Sequence, residues 1–211
     1  MARNLKKGKF ITIEGPDGAG KTTQAEKIAQ YLKSRGKRVI STREPGGTAL
    51  GEQLRKVLLD PEGSPVHTAE ALIYAACRAQ LLERMVIPAL KEGFTVVCDR
   101  FVDSSLAYQG WARGIGINRI LQLNKWVIGS CWPDLTILLD VDPTVSLGRL
   151  TGGRKDRLES EALEFHQKVR EGYMKVREMF PDRIRIIDAS QPADEVFRQI
   201  VAELEKAGVV E

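Results

Sequence analysis

Near the start of the chain, Gly15-Pro16-Asp17-Gly18-Ala19-Gly20-Lys21-Thr22 fits the spacing G-x-x-x-x-G-K-[ST]. The motif stands between an apolar run, Phe10-Ile11-Thr12-Ile13, and a helical pattern that begins at Lys21. That context constrains the fold, because a glycine-rich turn from a buried strand into a helix aims successive backbone N–H groups and the helix N-terminus at one point. Such a cradle suits phosphate oxygens. The glycines let the backbone close around the anion, Lys21 can reach the β and γ phosphates, and the Thr22 hydroxyl, followed by Thr23, is placed to ligate Mg²⁺. ATP or GTP binding follows. The reaction does not, since switches, motors and kinases share this loop.

The remaining pattern is that of an α/β protein. Runs rich in β-branched and apolar residues recur at Arg38–Thr42, Phe94–Cys98, Leu135–Leu139 and Ile184–Ile187, separated by helical patterns at Lys21–Lys33, Leu50–Leu59, Ala69–Leu90, Ile117–Ile128, Leu163–Met179 and Ala193–Lys206. With the run at Phe10 this predicts a five-stranded parallel sheet flanked by helices on both faces, the P-loop NTPase fold. Pro88 should kink the third helix or bring its end forward. No repeat or linker divides the 211 residues, so residues 1–211 read as a single domain.

Composition narrows the function classes. Lys and Arg number 32 against 28 Asp and Glu, a net charge of +4, a mild excess that suits a nucleotide as well as a nucleic acid. The basic residues are scattered among acidic neighbours along helices, without interleaved aromatics, so no nucleic-acid partner is expected. No Asn-Lys-x-Asp guanine signature occurs. Cys77, Cys98 and Cys131 form no Cys-x-x-Cys pair and read as reduced core residues. No apolar run approaches the roughly 20 residues that span a bilayer. A cytoplasmic protein without a membrane partner is the expectation. His67 and His166 are too separated for a metal site or a catalytic dyad and are given no role.

Two further stretches carry chemistry. Thr42-Arg43-Glu44-Pro45-Gly46-Gly47-Thr48 ends the second strand in a tight turn, and Asp99-Arg100-Phe101-Val102-Asp103-Ser104-Ser105-Leu106-Ala107-Tyr108-Gln109-Gly110 follows the third. Asp99 and Arg100 therefore emerge at the carboxyl edge of the sheet, where open α/β folds bind ligands, and an arginine there can grip a phosphate bidentately. Tyr74 and Arg78, four residues apart, share one face of the third helix, an arrangement that a core tyrosine beside a surface arginine would also satisfy.

With the P-loop and its preceding Glu14, these stretches resemble the thymidylate kinases of the nucleoside monophosphate kinase group, particularly the bacterial ones, over nearly the whole chain from Phe10 onward. The resemblance implies ATP-dependent phosphorylation of dTMP to dTDP with Mg²⁺ held near Thr22 and Asp99. It implies ATP contacts along Gly15, Pro16, Asp17, Gly18, Ala19, Gly20, Lys21, Thr22 and Thr23. It gives Arg100 the acceptor phosphate and Asp17 the 3′-hydroxyl, and in a loop that closes over dTMP it sets Glu44 near the phosphates or metal and Arg55 near the nucleotide. Tyr74 would stack on thymine, Arg78 would bond its carbonyl, Ser105 and Gln109, with Ser104 beside them, would read its polar edge, and Tyr108 would crowd the sugar. Homodimers are general in the family. Position 101, commonly tyrosine or histidine there, is Phe101 here.

Phosphoryl transfer needs positive charge on the migrating group. The variable P-loop positions Pro16, Asp17, Gly18 and Ala19 are not basic, so the resemblance assigns that charge to a short lid at about residues 149–160, containing Arg149, Arg154 and Arg157. Spacing does not choose which of the three meets the γ phosphate. A kinase for another small acceptor, or a nucleotide-binding switch, would share the P-loop but not the pocket.

Overall fold

The computed structural model describes residues 7–63, 65–150 and 156–210. Five parallel strands lie in the order β2-β3-β1-β4-β5: β1 (Phe10–Glu14), β2 (Val39–Arg43), β3 (Thr95–Asp99), β4 (Leu135–Asp140) and β5 (Ile184–Asp188). Register sets the site: Ile13 lies opposite Asp99, Arg43 opposite Asp99, and Glu14 opposite Leu138, so the polar ends of β1, β2 and β3 reach one carboxyl edge together. β1 is buried throughout, and its alternating side chains serve both faces. Phe10 joins a core with Leu81, Leu106 and Tyr173, while Ile11 and Ile13 join a second with Ile28, Ile137 and Ile200.

Helix α1 (Lys21–Ser34) follows the P-loop, and α2 (Ala49–Leu59) follows β2 with Thr48 as its cap, whose hydroxyl accepts from the Gly51 N–H at 3.0 Å. The third helix is one rod of three parts: α3 (His67–Leu81), a π-helical turn at Leu82–Val86, and α4 (Ile87–Lys91). Pro88 has no N–H to offer and its ring crowds the carbonyl four residues back; the wider turn just before it absorbs both without ending the rod. A short helix, α5 (Val102–Ser105), with its π-helical continuation Leu106–Ala112, follows the Asp99–Arg100 pair, and α7 (Pro143–Gly148) lies outside the sequence pattern. The others, α6 (Ile117–Ile128), α8 (Leu163–Met179) and α9 (Ala193–Lys206), have the expected bounds.

α8 packs directly on the π-helical segment. A Cβ at Gly172 would lie 3.0 Å from both the Cα and the carbonyl oxygen of Ala107, so glycine is what allows the approach. Next to it Tyr173 reaches past Tyr108 toward the end of β1, the two rings meeting edge-on with centroids 6.2 Å apart. No helix among the described residues is long and apolar enough to cross a membrane.

Candidate active site

A cavity of ≈ 690 Å³ opens at the carboxyl edge of the sheet and joins the P-loop to the surface formed by α3, α5 and the π-helical segment. Its volume lies in the usual range for small-ligand clefts.

The P-loop forms one wall. Gly20 stands at the N-cap of α1 with φ 91°, and neither a side-chain cap nor an acidic residue occupies that first turn. The leading N–H groups of α1 therefore face the cleft with the positive end of the helix dipole. Gly18, at φ 76°, runs so close to α7 that a Cβ would lie 2.0 Å from the Ser146 carbonyl oxygen. Lys21 is buried, and its ammonium donates to the Pro16 carbonyl at 2.7 Å. Burial first, and the Arg100 charge second, press its pKa down to about 8 against the pull of Asp17, Asp99 and Glu14. The Thr22 hydroxyl donates to Asp99 Oδ2 at 2.6 Å, while Asp99 Oδ1 is buried with no hydrogen-bond partner among the described residues.

Arg100 organises the centre. It lies in the left-handed region at φ 68°, a conformation that costs a non-glycine residue on the order of 1 kcal/mol and is kept where the surroundings demand it. Its backbone N–H still donates to the Ile13 carbonyl at 2.9 Å, as a strand residue would. The turn that follows is fixed by Glu14, whose buried carboxylate accepts from the Phe101 N–H at 2.8 Å and the Ser104 hydroxyl at 2.5 Å. The Arg100 guanidinium pairs with Asp17 and lies 3.3 Å from the Ser104 and Tyr173 hydroxyls. Asp17 also accepts from the Tyr108 hydroxyl at 2.8 Å. Burial works to raise the Asp17 carboxyl, but Arg100 and Lys21 outweigh it and hold the group below its ordinary value.

Glu14 shows the opposite balance. Burial, with Asp103 nearby, pushes its carboxyl up to about 7 in spite of the Ser104, Arg100 and Phe101 contacts. The folded chain then retains a proton that the unfolded chain has lost, so this stabilisation is complete below about 4.5 and disappears as pH rises through about 7. From pH 5 to pH 8, wild type should lose more stability than Glu14→Gln by at least about 1 kcal/mol in urea unfolding. Equal losses would show that Glu14 ionises normally in the fold.

The wall away from the P-loop holds Glu44, Arg55, Tyr74, Ser104, Ser105, Tyr108 and Gln109 together around the same cavity as Asp17, Lys21, Thr22, Thr23, Asp99 and Arg100. The π-helical turn lets the consecutive Tyr108 and Gln109 both line it. Arg55 donates to the Pro45 carbonyl at 3.0 Å, bracing the Glu44–Pro45 turn, whose peptide is cis. Arg78 stands behind this wall, 1% exposed: its guanidinium pairs with Glu44 at 2.5 Å, donates to Asn124 at 2.5 Å and to the Ser105 hydroxyl at 3.1 Å, and stacks over Phe101. Phe101 is fully buried against Phe10, so a hydroxyl there would need a partner in the core.

The three arginines expected in the lid part company. Arg149 lines the cavity and holds the Ala189 and Ser190 carbonyls at 2.9 and 3.2 Å, fixing the loop after β5. Arg157 is tied to α3 and α2 through Glu70 at 2.5 Å and the Leu58 carbonyl at 3.0 Å. Arg154 lies outside the described residues. Gly15 and Pro16 form the base of the P-loop beneath the cavity wall.

The sequence gives no role to Glu14, Glu70, Asn124 or Tyr173. Glu70 carried a legible signal, since it falls on the same helical stripe as Tyr74 and Arg78 at successive spacings of four. An acidic residue ending an apolar strand was the signal at Glu14.

A β1-centred parallel sheet with a glycine-rich loop, Lys21, the Thr22–Asp99 pair and an adjoining polar pocket defines a P-loop nucleotide kinase. Residues 13–200 match the family model described as thymidylate kinase. A thymidylate kinase of Geobacillus sp. (strain WCH70) is 51% identical over 200 residues, covering 93% of this chain and 95% of that protein. One from Clostridium novyi (strain NT) is 50% identical over 200 residues, with coverage of 93% and 98%. The crystal structure of thymidylate kinase from Ehrlichia chaffeensis superimposes with a TM-score of 0.78 at 33% identity, covering 93% of this chain and 98% of that one. The chain belongs to the thymidylate kinase family.

Proposed function

We propose that this chain moves the γ-phosphoryl group of ATP onto the phosphate of dTMP, giving dTDP and ADP, within the cleft between the P-loop and the α3/α5 wall. The observation that carries the reading is the single cavity that holds a phosphate cradle at one end and the Tyr74–Ser105–Gln109 pocket at the other, with Arg100 between them. A phosphate oxygen of dTMP forms a bond to the γ phosphorus as the bond to the β-bridging oxygen breaks. The nucleophile is already an anion, so the protein supplies position and positive charge and needs no general base. Lys21 supplies charge on the donor side, and Arg100 grips the acceptor phosphate, freed from Asp17 when that carboxylate turns to the 3′-hydroxyl.

The Thr22 hydroxyl and the unsatisfied Asp99 Oδ1 are hard oxygen donors and fit Mg²⁺, which takes one or two carboxylates together with substrate phosphates and water. When bound, the ion would neutralise charge developing on the β and γ oxygens. Arg149, and by resemblance Arg154 of a short lid, add charge over the migrating group, while Arg157 stays paired with Glu70 behind the cavity wall. Residues 1–211 act as one domain in this reading. The buried, unbridged cysteines suit the cytoplasm, and the exposed Val57, Leu72 and Trp126 on α2, α3 and α6 suit a homodimer contact.

Release of ADP from Mg–ATP tests the reaction, with dTMP, dUMP, dCMP, AMP or no acceptor offered in parallel. dTMP should be turned over best. dUMP, lacking one methyl group, should fall roughly tenfold or more in kcat/KM, and dCMP and AMP further. Equal ADP release with no acceptor, or preference for another monophosphate, would overturn the assignment.

A further inference from the structure

Gln109 is oriented by a carboxylate that does not itself reach the cleft. Glu70, on α3, is fully buried and lies behind the cavity wall. Its Oε1 accepts from the Gln109 amide nitrogen at 2.8 Å, its Oε2 pairs with Arg157 at 2.5 Å, and Arg113 Nε lies 3.6 Å from Oε1. A carboxylate offers only acceptors, so the end of the Gln109 amide that faces it must be the NH₂. Glu70 thereby decides which way round the amide meets the cleft. We propose that Glu70 is a specificity-determining positioning residue: it locks the Gln109 amide in the orientation that accepts thymine and uracil and rejects cytosine. The proposal rests on the reading that Gln109 faces the base of dTMP.

Thymine presents a donor at N3 and an acceptor at C4, whereas cytosine presents an acceptor at N3 and an amino donor at C4. A dTMP pocket therefore needs the Gln109 carbonyl at N3 and its remaining N–H at the neighbouring oxygen. Cytosine needs the same two groups in reverse order. Reversal means turning the amide over, which would exchange the Gln109 N–H that Glu70 Oε1 accepts for a carbonyl oxygen and set two acceptors face to face inside a buried site. Arg157 and Arg113 hold the other approaches to Glu70, so the carboxylate cannot simply swing aside.

The test compares kcat/KM for dTMP, dUMP and dCMP in wild type and in Glu70→Gln. A glutamine at this position can donate as well as accept, so the Gln109 amide is free to turn. The dTMP-to-dCMP ratio should fall roughly tenfold or more in the variant, while the dTMP-to-dUMP ratio stays within about twofold, because uracil shares the thymine edge. Glu70→Asp keeps the charge for Arg157 but withdraws the oxygens from Gln109; it should move the same ratio in the same direction, and it decides the matter if Glu70→Gln does not fold. A residue that only supports the fold would lower the melting temperature and weaken all three acceptors alike. An unchanged dTMP-to-dCMP ratio in the folded variant overturns the proposal. Gln109→Met separates this from failure of the underlying reading: if it leaves dTMP turnover intact, Gln109 does not face the base at all; if it impairs dTMP while Glu70→Gln leaves the ratio fixed, only the role of Glu70 is wrong.

Discussion

Alanine in place of Lys21 is expected to lower kcat by on the order of 10³-fold while the dTMP KM moves by less than about threefold. The loss is large because the ammonium is fixed by α1 at the end of the cleft where the uncapped helix N-terminus presents its backbone N–H groups. Charge placed there acts on the transferring group and not on the acceptor base, so a transition-state contact disappears and ground-state binding of dTMP does not. Arginine at the same position keeps the charge but replaces a point donor with a planar fork, and should recover only part of the rate. The burial and the Arg100 charge that bring Lys21 to about 8 add a second readout. Wild-type kcat/KM for ATP should decline as pH rises past about 8, because the free enzyme's ammonium is then lost. A Lys21→Ala enzyme with a near-normal kcat, or one whose loss lies wholly in the dTMP KM, would remove Lys21 from the transfer step.

Where local chemistry dictates conformation, the sequence was enough. The P-loop lies between β1 and α1 as its spacing requires, and α6, α8 and α9 begin and end where apolar periodicity and their stop signals place them. The short helix α7 escaped the pattern, and the start of α5 has no local cause. α5 starts only because Arg100 takes a positive φ and the Phe101 N–H finds Glu14, a partner 87 residues earlier in the chain. The rod around Pro88 was legible as an irregularity but not as a π-helical turn, since that choice depends on how its two ends pack. The site divides along the same line. Lys21, Thr22, Asp99 and Arg100 follow from sitting at strand ends in one sheet. The pairing of Arg78 with Glu44 spans 34 residues, and that of Glu70 with Arg157 spans 87; neither has a local signature, because the sheet order alone brings those segments together. Arg78 illustrates the consequence. Its helical face was readable, yet only the fold shows that its guanidinium is spent on Glu44, Asn124 and Ser105.

That spending makes Arg78 the position where substitution should harm the fold most. Methionine would fill much of the same volume but leave Glu44 buried without its counter-charge, and would strip a donor from Ser105 and Asn124 at once. Breaking a buried ion pair from one side costs about 3–5 kcal/mol, which for a chain of this size lowers the melting temperature by on the order of 10 °C. Removing both partners should be milder, since an apolar pair leaves no charge behind: Arg78→Met combined with Glu44→Met should recover at least about half of the single-variant loss. The sign of the pH dependence provides a further check. Burial already raises the Glu44 carboxyl, with Arg78 opposing that rise, so losing Arg78 raises it further. A carboxyl with a raised folded pKa contributes stability below its unfolded value and loses it as pH climbs through the folded one. The deficit of Arg78→Met relative to wild type should therefore be larger at pH 8 than at pH 5, and the double variant should show no such slope. If the single variant melts within about 2 °C of wild type, or its deficit does not grow with pH, the Arg78–Glu44 pair is not what holds the cavity wall of Tyr74, Ser105 and Gln109 in place.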